Sequence, residues 1–149
     1  MLENDYSTRF GELIESVVWD IELPRDWSDY FEEQGEMQSF QGDVRTNKRM
    51  MIRTYGIMWF EKTLPFCNRP TQPKGVYTRD FSRLGVGLLT PFEVFPEEQI
   101  RVALPTFWVL LKVVRTRRIT SKCYEIGTEL IQRNDPDPAA LMSTIAADC

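Results

Sequence analysis

The sequence predicts a mainly β fold, an antiparallel sandwich or small barrel, and three observations carry that prediction. Six short segments, 50–60, 75–81, 85–90, 100–104, 107–118 and 122–132, combine Val, Ile, Thr and aromatic residues, the types that suit a pleated, half-buried surface. Turn-forming residues separate the later ones at short intervals: Pro91, Pro96, Pro105 and the stretch Ile119–Lys122. That rhythm belongs to antiparallel all-β domains rather than to alternating strands and helices. The chain also has 149 residues, 42% hydrophobic and 27% charged, enough to bury the core of one globular domain.

The remaining elements flank the strands. Phe10, Leu13, Ile14, Val17 and Val18 form one apolar stripe after Ser7, so an amphipathic helix with Ser7 as N-cap is expected over 7–19. Pro24 ends it. Trp27, Tyr30 and Phe31 repeat the spacing behind Asp26, which predicts a second, shorter helix. Both stripes read as packing surfaces, for the domain itself or for a partner. Gly35, Gly42 and the polar residues between them predict a loop over 35–49. Pro65, Pro70, Pro73 and Gly75 predict another over 61–75. Past residue 132, Asn134–Pro138 breaks the pattern. Asp137 as N-cap and Pro138 as first helical residue allow a short helix over 139–146, and a frayed tail is the other reading. The organisation expected is an N-terminal helical extension (1–39), a β domain (40–133) and a C-terminal tail or short helix (134–149).

Composition narrows the function classes. The chain contains no histidine, which removes the Ser-His-Asp triad, the Cys-His pair and most metal sites. Cys67, Cys123 and Cys149 match no zinc spacing and read as free thiols of a reducing cytoplasm. A net charge of −4 argues against a nucleic-acid polymer as partner. No apolar run is long enough to span a membrane, and the polar, acidic first ten residues are not a signal peptide. A cytoplasmic protein is expected. No nucleophile with a base and no phosphate loop is present. No enzyme, metal or resident cofactor is expected, and Glu32/Glu33 and Glu97/Glu98 read as solvated faces.

Two motifs carry chemistry. Arg45-Thr46-Asn47-Lys48-Arg49 sets two guanidiniums four residues apart just before the first strand. Arginine forks bind phosphate through paired charge-assisted bonds and also suit the acceptor edge of guanine. With 13 arginines, an RxxxR match is expected about once by chance. The chain has three, including Arg49/Arg53 and Arg79/Arg83, so on its own the pair reads as a solvated basic loop. Asp80-Phe81-Ser82-Arg83-Leu84-Gly85 joins two strand candidates. An ionised aspartate only accepts hydrogen bonds, which matches the N1–H and N2–H₂ donors of guanine. Ser82 adds a small polar group, and Gly85 permits a turn or a close approach. DxSxxG is expected roughly 0.02 times by chance here, and so carries more weight.

RxxxR in a loop, then a strand, then DxSxxG between strands: this order resembles the PilZ domain. Val113-Val114-Arg115 and Tyr124-Glu125-Ile126-Gly127-Thr128-Glu129-Leu130 look like that family's closing strand pair. The resemblance covers about residues 40–132. It implies a six-stranded antiparallel β-barrel that binds the bacterial second messenger cyclic di-GMP. Arg45 and Arg49 would clamp the phosphates, Asp80 and Ser82 would read a guanine edge, and Gly85 would shape the floor. Loop closure would then alter contacts with a downstream protein or a second copy in a homodimer. Asp43 and Val44 depart from a strongly basic approach and suggest one ligand per site. Two other readings compete: a PilZ-like adaptor that binds protein through the apolar N-terminal stripe and Trp27, Tyr30 and Phe31, and a nucleic-acid-binding barrel using Lys112, Arg115, Arg117 and Arg118.

Overall fold

The structure, a computed structural model, describes residues 2–32, 35–36, 50–136 and 141. They contain one α-helix, α1 (Leu2–Ser16), a 3-10 turn (Tyr30–Glu32) and eight strands. The strands are β1 (Gly35–Glu36), β2 (Met50–Met51), β3 (Tyr55–Lys62), β4 (Lys74–Phe81), β5 (Val86–Thr90), β6 (Gln99–Ala103), β7 (Trp108–Thr120) and β8 (Cys123–Asn134). Six of them close on themselves in the order β4-β3-β6-β7-β8-β5 and back to β4, every pair antiparallel. Closure leaves none of the six with an unpaired edge. The expected six-stranded barrel is present, and each long strand lies within a few residues of its predicted segment.

The barrel interior is filled by alternate residues. Met58, Phe60, Val76, Leu88, Ile100, Val102, Leu111, Val113 and Ile126 form its core, all 3% exposed or less. The intervening residues of β3 are buried as well. Ile57 and Trp59 face outward under α1, where Tyr6, Phe10 and Ala103 join them. Each large apolar side chain so buried contributes about 1.5–3 kcal/mol. Tyr6 anchors the helix further by donating its hydroxyl to the Leu104 and Phe107 carbonyls, at 2.7 and 2.9 Å. Burial raises the pKa of that phenol well above the ordinary tyrosine value.

Several expectations at the N-terminus need correction. The helix starts at Leu2 and stops at Ser16 rather than covering 7–19, because Tyr6 extends the apolar stripe backwards. Val18 leaves the helix to bridge Lys74 of β4, and its carbonyl accepts from Gly75 N. The second helix is only the turn Tyr30–Glu32. Its aromatics do not form an exposed docking face. Tyr30 is 3% exposed, donates to the Thr78 carbonyl at 2.6 Å, and packs with Phe31 against Tyr77. The 50–60 segment splits in two. Met50–Met51 and Tyr55–Lys62 pair with different stretches of β4, and the buried Thr78 hydroxyl occupies the break, accepting from Thr54 N and donating to the Ile52 carbonyl. Gly35–Glu36, expected in a loop, forms β1. The short helix expected over 139–146 lies outside the described residues except for Leu141, which is buried against the α1 layer.

Glu98 is the largest departure from the solvated faces expected of the acid pairs. It is fully buried. It accepts from the Thr63 hydroxyl, from Phe95 N at 2.8 Å and from Arg69 Nε at 3.0 Å, and Arg69 Nη2 also reaches it. The Arg69 guanidinium sits over the rings of Phe60, Phe92 and Phe95. This ion pair fastens the 63–73 loop to the turn before β6. No helix of the described residues is long and apolar enough to cross a membrane.

Candidate functional site: a cleft beside the β4–β5 turn

Asp80, Ser82 and Gly85 come together where β4 turns into β5, and all three line one cleft of about 170 Å³. Gly87, Arg115, Gly127, Thr128 and Glu129 complete its charged and polar wall, and Leu84 and Val114 supply an exposed apolar rim.

Asp80 owes its orientation to a β-bulge. The register between β4 and β5 shifts between Thr78 and Asp80, so Asp80 stands opposite Gly87. Bulges re-aim side chains in this way next to functional sites. Asp80 is 2% exposed. Its Oδ1 accepts from Gly87 N at 3.1 Å, and its Oδ2 meets Arg79 Nε at 3.1 Å and Nη2 at 3.0 Å. A second register shift, between Val113 and Arg115, borders the opposite wall and sets Arg115 against Gly127.

Ser82 and Gly85 build the turn. The Ser82 hydroxyl oxygen accepts from Leu84 N and Gly85 N, both at 3.2 Å, and Ser82 N donates to the Gly85 carbonyl at 2.9 Å. The turn is tied to β8 by Leu130 N donating to the Leu84 carbonyl at 2.7 Å. A Cβ on Gly85 would lie 1.8 Å from the Thr128 carbonyl oxygen. Only glycine fits, and what it approaches closely is the neighbouring backbone.

Sequence reasoning missed Arg79 and Gly87 as parts of the site, saw Gly127 only as a strand residue, and gave Arg115 to a basic strand end rather than to this cleft. Gly87 and Gly127 are register partners on β5 and β8. The space a Cβ would take is filled by the Asp80 carboxylate at Gly87 and by the Arg115 guanidinium at Gly127. The glycine pair therefore lets an acid and a base lie flat on one patch of sheet. The repeat Gly85-Val86-Gly87 was the available local signal. Arg79 extends the network: Nη1 meets Glu125 at 2.6 Å, and Glu125 also takes Arg117 at 3.4 Å. Burial works to lower the Arg79 pKa, but the charges and hydrogen bonds of Asp80 and Glu125 outweigh it and hold the value above ordinary arginine.

Arg45 and Arg49 lie outside the described residues. The next residue of the chain, Met50, pairs with Phe81, between Asp80 and Ser82. Of the basic strand end, Lys112 pairs with Glu129 and Arg117 with Glu125, which weakens it as a nucleic-acid stripe. A second cleft, also about 170 Å³, lies between Asp26, Trp27, Asp29, Tyr30 and Arg53, with the Arg53 guanidinium stacked 4.2 Å over Tyr30. Comparison with protein-family models, curated proteins and solved structures found no match.

Proposed function

We propose that this chain is a PilZ-type receptor for cyclic di-GMP, with the cleft beside Asp80 as the subsite for one guanine. The observation that carries the reading is the pairing of Met50 with Phe81. It ties the chain just after the RxxxR arginines to the middle of the DxSxxG motif, although 31 positions separate the two in sequence (81 − 50).

The cleft's chemistry suits the role. Asp80 offers a carboxylate to the two parallel donors of guanine, and Arg115 offers a flat guanidinium that can stack on a base or meet a phosphate. Drug-sized ligands occupy roughly 300–1,000 Å³, so a cleft of about 170 Å³ matches one planar base. Arg45 and Arg49 would cover the phosphates, and closure over the ligand would alter contacts with a downstream protein in the cytoplasm. The adaptor reading loses support, since both the N-terminal stripe and the aromatics that suggested it pack on the barrel.

Titration calorimetry with cyclic di-GMP tests the reading. The expected result is micromolar or tighter binding with one ligand per chain, lost in Arg45→Ala and Arg49→Ala and weakened in Asp80→Ala. Equal affinity in all three variants would remove the site assignment. No binding by the wild-type protein would remove the function.

A further inference from the structure

The geometry points to Arg79 as the positioning residue of this cleft: it holds the Asp80 carboxylate in the plane that discriminates guanine, and Glu125 holds Arg79. The inference rests on reading the cleft as a guanine subsite. Arg79 lies outside the Arg45–Arg49 and Asp80–Gly85 segments, and sequence reasoning assigned it no role beyond a chance RxxxR match with Arg83.

Three observations support it. Arg79 is the residue at the register shift of β4, so its side chain runs along the sheet beside that of Asp80 instead of pointing to the opposite face, as strict alternation would require. Its Nε and Nη2 converge on one carboxylate oxygen, while Gly87 N holds the other. Those contacts, from two strands, fix both the position and the rotation of the carboxylate. Finally, Nη1 is held by Glu125 of β8 at 2.6 Å, and the arginine side chain is only 18% exposed. The chain Glu125–Arg79–Asp80 runs from β8 across β5 to β4, and Arg117 joins it at Glu125. The ionised carboxylate of Asp80 only accepts hydrogen bonds, so the subsite prefers donors. Guanine presents two donors side by side, whereas adenine presents one donor and one acceptor on the same edge. A carboxylate held flat accepts the first pair and repels the acceptor of the second, and one free to rotate discriminates less.

The experiment compares cyclic di-GMP and cyclic di-AMP by calorimetry in the wild type, Arg79→Gln, Arg79→Lys, Glu125→Gln, Asp80→Asn and the double variant Arg79→Gln/Asp80→Asn. Arg79→Gln should weaken cyclic di-GMP binding by roughly tenfold or more and narrow its preference over cyclic di-AMP. Arg79→Lys should recover part of the loss, keeping the charge without the fork, and Glu125→Gln should weaken binding by about two- to threefold. The double variant should bind no worse than Asp80→Asn alone, because the two residues act as a unit. Unchanged affinity and preference in Arg79→Gln, or fully additive losses, would overturn the inference. A ligand-free arm separates it from the functional reading. The Gly87 amide, which donates to Asp80, should shift in the nitrogen–proton NMR spectrum of Arg79→Gln as it does in Asp80→Asn. If the wild type binds neither nucleotide, the functional reading falls, and this amide alone decides the Arg79–Asp80 link: a shift supports it, and none overturns it. Should Arg79→Gln fail to fold, Arg79→Lys and Glu125→Gln carry the same comparisons.

Discussion

Asp80 and Glu98 are both buried carboxylates gripped by an arginine, yet they sit in different surroundings. Glu98 is fully buried, and its partner Arg69 is walled in by the rings of Phe60, Phe92 and Phe95. Asp80 lines a cleft, and its partner Arg79 leads on to another acid, Glu125, on the barrel's outer face. The contrast is between an ion pair sealed in the core and one that borders an open cleft. Desolvation makes both pairs expensive to break. Only the pair beside open space can exchange part of its environment for a ligand.

Substitutions can separate the two. Glu98→Gln should produce the largest loss of stability, about 3–5 kcal/mol, because it leaves Arg69 buried against aromatic rings without its counter-charge. Urea denaturation measures this, and cyclic di-GMP affinity in the folded fraction should stay within about twofold of wild type, a tolerance of under half a kcal/mol. A variant that keeps its stability would make Glu98 no more structural than Asp80. Gly85→Ala should come next, at about 1–3 kcal/mol, since its Cβ would meet the Thr128 carbonyl. It blurs the contrast, because the turn and the cleft wall move together and stability and affinity should fall in one variant. Full affinity in a destabilised Gly85→Ala would detach the turn from the site.

The smallest effect belongs to neither acid. Burial, with a lesser push from Glu125, raises the Cys123 thiol from 9.0 to about 11, and burial also raises Tyr30 and Tyr77 in the same layer. Each of these groups is neutral when protonated, and its folded-state pKa lies above the unfolded one. Their stability contribution is complete below the unfolded values and is lost as pH rises, for Cys123 between about 9 and about 11. Urea midpoints should fall steadily over that window. A flat profile to pH 11 would mean that the N-terminal layer is looser than its packing indicates.

Much of the barrel was legible because strand period and turn residues are local signals. Pro91, Pro96 and Pro105 fixed boundaries that closure into a barrel did not move. The motif residues Asp80, Ser82 and Gly85 were legible by type and spacing, and the fold does gather them on one cleft. Their contacts were not legible. Ser82 and Gly85 hold a turn against β8, a strand some 40 residues later. Arg79 enters the network through a bulge, and no residue type announces which strand position will take the extra residue. Glu98 looked like half of a solvated acid pair because its partner Arg69 comes from a distant, proline-rich loop. The second helix failed for a related reason: Trp27, Tyr30 and Phe31 keep helical spacing, but Tyr77 and Thr78 of β4 supply better partners than another helical turn would.

The most direct test of the contrast is an amide-resolved NMR titration of the wild-type protein with cyclic di-GMP. Shifts should concentrate on Gly85, Gly87 and Gly127 around Asp80, while Phe95, whose amide donates to Glu98, stays in place. Shifts centred on Phe95, or none at the three glycines under saturating ligand, would contradict it.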